Sequence, residues 1–335
     1  MKDDVLTILK KFWFVILVGC IFVAMAIYFA WDTNKDKLSA KSVDGKDVIF
    51  SLDEENYTAD EYYKTLFNAT SNDTKTGIQL VYSLMEREVI DQSVKATDKI
   101  KDQAEKNFKS SETYYKNLYG DNYETTIGSQ LKQLGYGGID DYEQYFVDVL
   151  KKEKFISNYV KAHKELFDEV YNQESPRVIA HILVSCADPS NPTATEKAKM
   201  AKVEKALAGG ASFEKVAKKY SDDTATSSKG GSLGVQLKSG SLQDAFKKAA
   251  WGLSEGATTT EWVKTTYGYH MIKVITTSKK EMLSNSDYWT SVVSAVTDHY
   301  PNLSKQIVWK KAEKLGVKVK KSISDELKTY INGTN

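Results

Sequence analysis

The chain has 335 residues, a formal charge of +1, and is 41% hydrophobic and 27% charged. That length exceeds one ordinary domain of roughly 100–200 residues, so two are expected, and the composition is that of a globular chain rather than a disordered one. Near-neutrality, with arginine only at Arg87 and Arg177, argues against a nucleic-acid-binding field and against bidentate readout of phosphate or guanine.

The first element is apolar. Residues 12–31, FWFVILVGCIFVAMAIYFAW, form about 20 uncharged positions, enough to span a hydrocarbon core of roughly 30 Å. Lys2, Lys10 and Lys11 precede this run and Asp32 follows it. The positive flank belongs inside, so residues 1–11 are expected in the cytoplasm, 12–31 as a transmembrane signal anchor, and the rest outside the cytoplasm. Trp13, Tyr28 and Trp31 suit the two interfaces. A competing reading takes LVGC at 17–20 as a lipobox, with Cys20 lipidated after cleavage. The run stays apolar as far as Trp31, which favours the uncleaved anchor. Cys20 in this run is a poor disulfide partner for Cys186, and neither cysteine belongs to a CxxC motif of zinc or redox type.

Residues 33–175 read as a mostly helical domain. Asp44-Gly45 marks a short hairpin within VDGKDVIFSL. TADE at 58–61 is a capping box, opening a helix that bears Tyr62, Tyr63, Leu66 and Phe67. A helical stripe over 73–108 carries Ile78, Val81, Tyr82, Met85, Val89 and Ile90. Shorter helices follow at 111–119 and 123–134. GYGGIDD at 135–141 is a break, and a long helix covers about 140–172. The many tyrosines here (Tyr82, Tyr114, Tyr115, Tyr119 and Tyr123 among them) have two readings, a cradle for unfolded chains or an ordinary helical core.

Pro176 in ESPR ends that helix, and the texture changes. RVIAHILVS reads as a strand, 193–210 as a helix with a glycine stop, and SFEKVAKKY as a helix capped by Ser212. The loop YSDDTATSSKGGSLG (220–234) comes next, then the helix SLQDAFKKAAWGL and the strand YGYHMIKVITT (267–277). The order β-α-α-loop-α-β defines a small α+β domain over 176–278. Residues 279–335 turn helical again, with Tyr288, Trp289, Val292, Ile307, Trp309 and Leu327 as apolar positions. They are expected to pack with the first helical region. Their lysines (Lys305, Lys310, Lys311, Lys314, Lys318, Lys320, Lys321) read as a solvated face, or alternatively as attracted to an anionic surface.

Three fragments, AHILVS (180–185), the loop above and TTYGYHMIKV (265–274), resemble in order and separation the signature of parvulin-type peptidyl-prolyl isomerases. The wider layout resembles the PrsA-type extracytoplasmic foldases of Gram-positive bacteria. The resemblance implies a parvulin-like α+β domain inserted in a mostly helical, chaperone-like domain behind an N-terminal transmembrane helix. It implies catalysis of cis–trans isomerisation at X–Pro bonds of unfolded, exported proteins, by a membrane-tethered protein that needs no cofactor. The alternative is a catalytically silent parvulin-fold chaperone. A homodimer is allowed, and no nucleic-acid partner is expected.

Carried over residue by residue, the paired histidines of the family fall on His181 and His270, its acidic or thiol position on Asp223, and its supporting hydroxyl on Thr265. The proline seat falls on Leu233, Leu242 and Phe246. His163 and His299 lie outside the motif and read as structural. The chain departs from the pattern at Ser232, where Asp is usual, at Gln236, where an aromatic is frequent, and at Trp262, where Pro is common.

Overall fold

The computed structural model describes residues 37–38, 41–52, 55–61 and 74–333. The expected anchor at 12–31 and the helix bearing Tyr62, Tyr63, Leu66 and Phe67 lie outside the described residues. Among the described residues no helix is long and apolar enough to cross a membrane. The chain divides into two compact units, Met1–Phe155 with Ser304–Asn335, and Ile156–Leu303.

The first unit combines a small sheet with helices. Strands β1 (Lys37–Leu38), β2 (Ser42–Val43), β3 (Lys46–Leu52), β4 (Glu55–Thr58) and β9 (Lys318–Lys320) form it. Strands β2 and β3 are joined at Asp44-Gly45, with φ of 52° and 75°. Positive φ at both central residues is what a tight antiparallel hairpin turn requires. Strand β3 runs buried from Val48 to Leu52 because both its faces are covered. It pairs antiparallel with β4 and with β9, while β1 pairs parallel with β9.

Helices α1 (Thr74–Ser93) and α12 (Lys321–Asn332) supply Met85, Val89, Leu327 and Ile331 to the same core. The single stripe expected over 73–108 is in fact two helices. Thr97 caps α2 (Asp98–Tyr119) by accepting from the Ile100 N–H, and this breaks the run. Helices α3 (Tyr123–Gln133) and α4 (Tyr142–Ala162) build a second, aromatic core. Tyr123, Ile127, Leu131 and Tyr142 are buried there, with Phe108 edge-on to Tyr142 at 5.5 Å. Several tyrosines are therefore core residues, whereas Tyr114 is 62% exposed.

The second unit is organised around an antiparallel sheet in the order β6-β5-β8-β7. These are β5 (Arg177–Ser185), β6 (Ser232–Gln236), β7 (Val263–Thr265) and β8 (Gly268–Thr276). The long central pair runs from Val178↔Thr276 to Ser185↔Gly268, with one register shift between Val178 and Ile179 and regular pairing from Ile179↔Val274 onward. Alternation along β5 sends Ala180 and Ile182 to one face and Ile179 and His181 to the other. On the first face lie α6 (Ala194–Ala208), opened by a Thr193–Glu196 capping box, and α7 (Phe213–Tyr220), capped by Ser212. Val203, Phe213, Val216 and Ala217 pack there on Ala180, Ile182 and Met271. On the other face α8 (Asp244–Gly252) brings Phe246 and Ala250 against Ile179 and Ile272.

Flanking helices join this unit beyond the boundaries set by sequence texture. Helix α5 (Glu165–Glu174) buries Phe167 and Val170, and its Tyr171 hydroxyl donates to the Thr277 carbonyl at 2.7 Å. Ser175, left-handed at φ 46°, ends α5 just before Pro176. Helices α9 (Lys279–Ser284) and α10 (Ser286–His299) follow the sheet; Ser291 on α10 accepts from the Val235 N–H at 2.8 Å. Only α11 (Leu303–Lys314), β9 and α12 return to the first unit, from Ser304 onward.

Candidate active site

The site grows from the β5–β8 pair. His181 stands opposite Ile272, and His270 opposite Leu183. The two histidines are therefore diagonal neighbours on one face, close enough for long side chains to meet. Their rings lie 5.3 Å apart and nearly parallel, with Nδ1 to Nδ1 at 3.0 Å. Both are buried. Phe246 presents an edge to each ring, at 5.8 Å from His181 and 5.3 Å from His270.

A hydrogen-bonded chain passes through the pair. His181 Nε2 lies 2.7 Å from Asp223 Oδ2, and the Thr265 hydroxyl lies 2.8 Å from His270 Nε2. Thr265 Oγ1 also accepts from the Tyr267 N–H at 3.2 Å, and its proton has two acceptors in reach, His270 Nε2 at 2.8 Å and the Gly268 carbonyl at 3.5 Å. With both rings neutral, one direction satisfies every contact. Thr265 donates to His270 Nε2, His270 Nδ1–H donates to His181 Nδ1, and His181 Nε2–H donates to the carboxylate.

The electrostatics agree with that direction. Burial, then the nearby His181, push the imidazolium form of His270 down to about 4, against a smaller opposing pull from Asp223. Burial opposes ionisation of Asp223, but hydrogen bonds from Thr226 and His181 outweigh it and hold the carboxyl below its usual range. Asp223 is also the open end of the chain, with its side chain 20% exposed against 8% for His181.

The loop that carries Asp223 is fastened to β5. The Asp222 N–H donates to the Leu183 carbonyl at 2.8 Å, and Asp222 Oδ2 accepts from the Ser185 N–H at 3.0 Å. Ser221 Oγ accepts from the Leu183 N–H at 3.1 Å. Further on, the His181 N–H donates to the Gly231 carbonyl at 2.9 Å. Gly231 has φ 79°, and a Cβ there would stand 2.1 Å from the His181 carbonyl oxygen. Only glycine supplies both that conformation and that close approach. The acid and the glycines of the loop thus serve one end, bringing a carboxylate to the histidine pair while the chain turns back into β6.

Leu233, Leu242 and Phe246, read from sequence as the proline seat, lie in one apolar cluster with Ile179, Ala250 and Ile272. Phe246 is buried, and Leu233 and Leu242 are partly buried against it. The departures from the family pattern are all accommodated locally. Ser232 Oγ accepts from the Gly234 N–H at 3.2 Å, the Gln236 amide donates to the Leu233 carbonyl at 2.7 Å, and the Trp262 indole donates to Glu204 at 2.6 Å. His163 stacks on Tyr159 at 4.0 Å and His299 lies 3.7 Å from Glu174, both away from this cluster. Among the described residues no group of three or more His, Cys, Asp or Glu is arranged to hold a metal ion.

One residue of the site was missed by sequence reasoning. The Thr226 hydroxyl donates to Asp223 Oδ2 at 2.5 Å and lies 3.3 Å from His181 Nε2. The available signal was a hydroxyl residue three positions after an acid in a turn, a spacing at which such side chains bond back to local groups.

A short antiparallel sheet, a stacked histidine pair on its inner face and an acid delivered by a glycine-rich loop define a class. Residues 181–276 match the rotamase family, the PPIC-type PPIase domain. This unit is a parvulin-type peptidyl-prolyl isomerase. Over the longer chain, the foldase protein PrsA of Pediococcus pentosaceus is 31% identical across 271 residues, covering 81% of this chain and 80% of that protein. The foldase protein PrsA of Geobacillus kaustophilus is 31% identical across 245 residues, covering 73% and 76% respectively. The crystal structure of PrsA from Bacillus subtilis shares 28% identity with a TM-score of 0.45, covering 81% of this chain and 91% of that one. The chain belongs to the PrsA foldase family.

Proposed function

We propose that His181, Asp223, His270 and Thr265 form the catalytic set of this foldase, and that Leu233, Leu242 and Phe246 seat the proline ring of an X–Pro bond. The observation that carries the reading is the continuous chain Thr265–His270–His181–Asp223, ending on its least buried member.

Rotation about a peptide bond meets a barrier of about 18–20 kcal/mol because the C–N bond has partial double-bond character. For X–Pro the two isomers lie within about 1 kcal/mol and exchange over tens of seconds or more. No bond breaks, so the site needs neither nucleophile nor leaving group. It must favour the twisted amide over the planar one. In the planar amide, resonance places negative charge on the carbonyl oxygen; twisting returns that density to nitrogen. A fixed carboxylate beside the carbonyl repels the planar form more than the twisted one. Asp223 supplies the charge, His181 and His270 hold it from the buried side, and Thr265 closes the chain. The apolar cluster grips the ring while the carbonyl turns.

The substrates are unfolded or partly folded exported proteins. The uncharged run at 12–31, with lysines before it and Asp32 after it, tethers the body outside the cytoplasm. The test is cis–trans exchange of a panel of X–Pro peptides, followed by NMR with the full chain in detergent. The parent is expected to accelerate exchange, and His270→Ala and Asp223→Ala each to cut that acceleration by about tenfold or more, roughly 1.4 kcal/mol of barrier. Variants as fast as the parent would remove these residues from the catalytic set. A parent without effect on any peptide would leave a chaperone that only holds chains.

A further inference from the structure

We propose that Thr226 is a positioning residue of the isomerase site. Its hydroxyl locks the Asp223 carboxylate onto His181 and thereby fixes which nitrogen of each ring carries the proton. The inference rests on the reading of His181, Asp223 and His270 as the catalytic set.

Both oxygens of Asp223 are held from its own loop. Oδ2 takes the Thr226 hydroxyl proton and Oδ1 takes the Ala225 N–H at 3.1 Å. Thr226 Oγ1, having given its proton to the acid, keeps lone pairs toward His181 Nε2 at 3.3 Å. The His181 proton is therefore shared between a carboxylate and a hydroxyl that are themselves bonded. This closed triangle leaves the Nε2–H form of His181 as the arrangement in which every contact has a donor and an acceptor. The choice propagates, since His181 Nδ1 must then accept from His270, and His270 must accept from Thr265.

The backbone of Thr226 reinforces the same join. Its N–H donates to the Asp223 carbonyl at 3.2 Å, and its carbonyl accepts from the Gly231 N–H at 2.9 Å. Gly231 in turn accepts from the His181 N–H. One residue thus ties the acid to the histidine strand through side chain and main chain together. Without the hydroxyl, the carboxylate loses a charge-assisted bond of the strong kind, and Oδ2 is held by His181 alone.

Among the described residues, the titratable groups that act on Asp223 are His181 from β5 and, behind it, His270 from β8. Neighbouring Asp222 is turned to the Ser185 N–H and to Lys199. Because the Thr226 bond favours the charged carboxylate, its removal raises the pH at which Asp223 takes up a proton.

The test compares Thr226→Val, which keeps the shape and drops the hydroxyl, with Thr226→Ser, which keeps the hydroxyl. Three readouts are taken on the full chain: peptide exchange rate against pH, imidazole nitrogen shifts of His181 and His270, and the Asp223 carboxyl titration. Thr226→Val is expected to slow exchange about tenfold near neutral pH, to move the acid limb of the profile upward, and to change the imidazole signals. Thr226→Ser is expected to restore most of all three. The proposal is overturned if Thr226→Val keeps the parent's imidazole and carboxyl signals. It is equally overturned if both variants are slowed alike with those signals unchanged, which would give Thr226 a role in the loop's fold alone. Should the parent accelerate no peptide, the catalytic reading fails, while the nitrogen and carboxyl signals still decide the role of Thr226.

Discussion

His270 illustrates what burying a titratable ring does to the whole unit. It is 4% exposed, and burial holds its imidazolium form to about 4, below the ordinary value of 6.5. Between those values the unfolded chain binds a proton that the folded chain refuses. Stability therefore rises with pH across this window: it is fully present above about 6.5 and is lost as pH falls toward about 4. A shift of this size corresponds to about 3 kcal/mol. Asp223, whose carboxyl is held down, adds a loss of the same sign at lower pH. The expected outcome is a urea midpoint for the β5–β8 sheet that drops between pH 7 and pH 4 in the parent and much less in His270→Gln. A flat parent curve over that interval would refute the account. His181, Asp223, His270 and Thr265 could be placed in advance because motif order survives in sequence. For Thr226 sequence offers only the local spacing to Asp223, and its approach to His181 depends on where a loop without periodicity folds back.

Among elements, β6 depends closely on its neighbours. It is an edge strand of only five residues, SLGVQ, and it carries Leu233 of the proposed proline seat. Edge strands leave N–H groups open, and proteins cover them. Here the cover is α10. The Ser291 hydroxyl takes the Val235 N–H at 2.8 Å, and Gly234, with φ 69°, has no side chain where a Cβ would come within 2.6 Å of Ser291 Oγ. Ser291→Ala strands the N–H of a buried residue, at a cost of about 1–2 kcal/mol. The expected result is faster hydrogen exchange at Val235 and a lower unfolding midpoint for this unit. Unchanged protection of that amide would show that α10 does not secure the strand.

The same elements explain what sequence could reveal. Long helices declare themselves by period, but their ends were harder to place. The stripe through Ile78 and Val89 hides the break at Thr97, and His163 divides what reads as one helix over 140–172. Strands β6, β7 and β9 have too few residues for alternation to register, and exist because longer strands β5, β8 and β3 offer them ladders.

At the scale of the molecule, the first unit is assembled from two stretches far apart in sequence. Strand β9, from residues 318–320, pairs with both β1 and β3, and Val317, Val319, Leu327 and Ile331 share a core with Phe50, Leu52 and Met85. Contacts this distant in sequence carry a large loop-closure cost before they return any stability, so the first unit cannot be completed until residues 317–331 are made. The second unit, Ile156–Leu303, holds its sheet and both apolar faces within one continuous stretch. Deleting residues 317–335 therefore removes four buried apolar side chains, each contributing about 1.5–3 kcal/mol, from a fold with a margin of roughly 5–15 kcal/mol. The first unit is expected to lose amide protection in β3 and α1, whereas β5 and β8 keep theirs and X–Pro exchange persists. Hydrogen exchange read element by element checks this on one sample. Protection retained in β3 would mean that β9 is an accessory to the first unit, and protection lost in β5 would mean that the second unit does not stand alone.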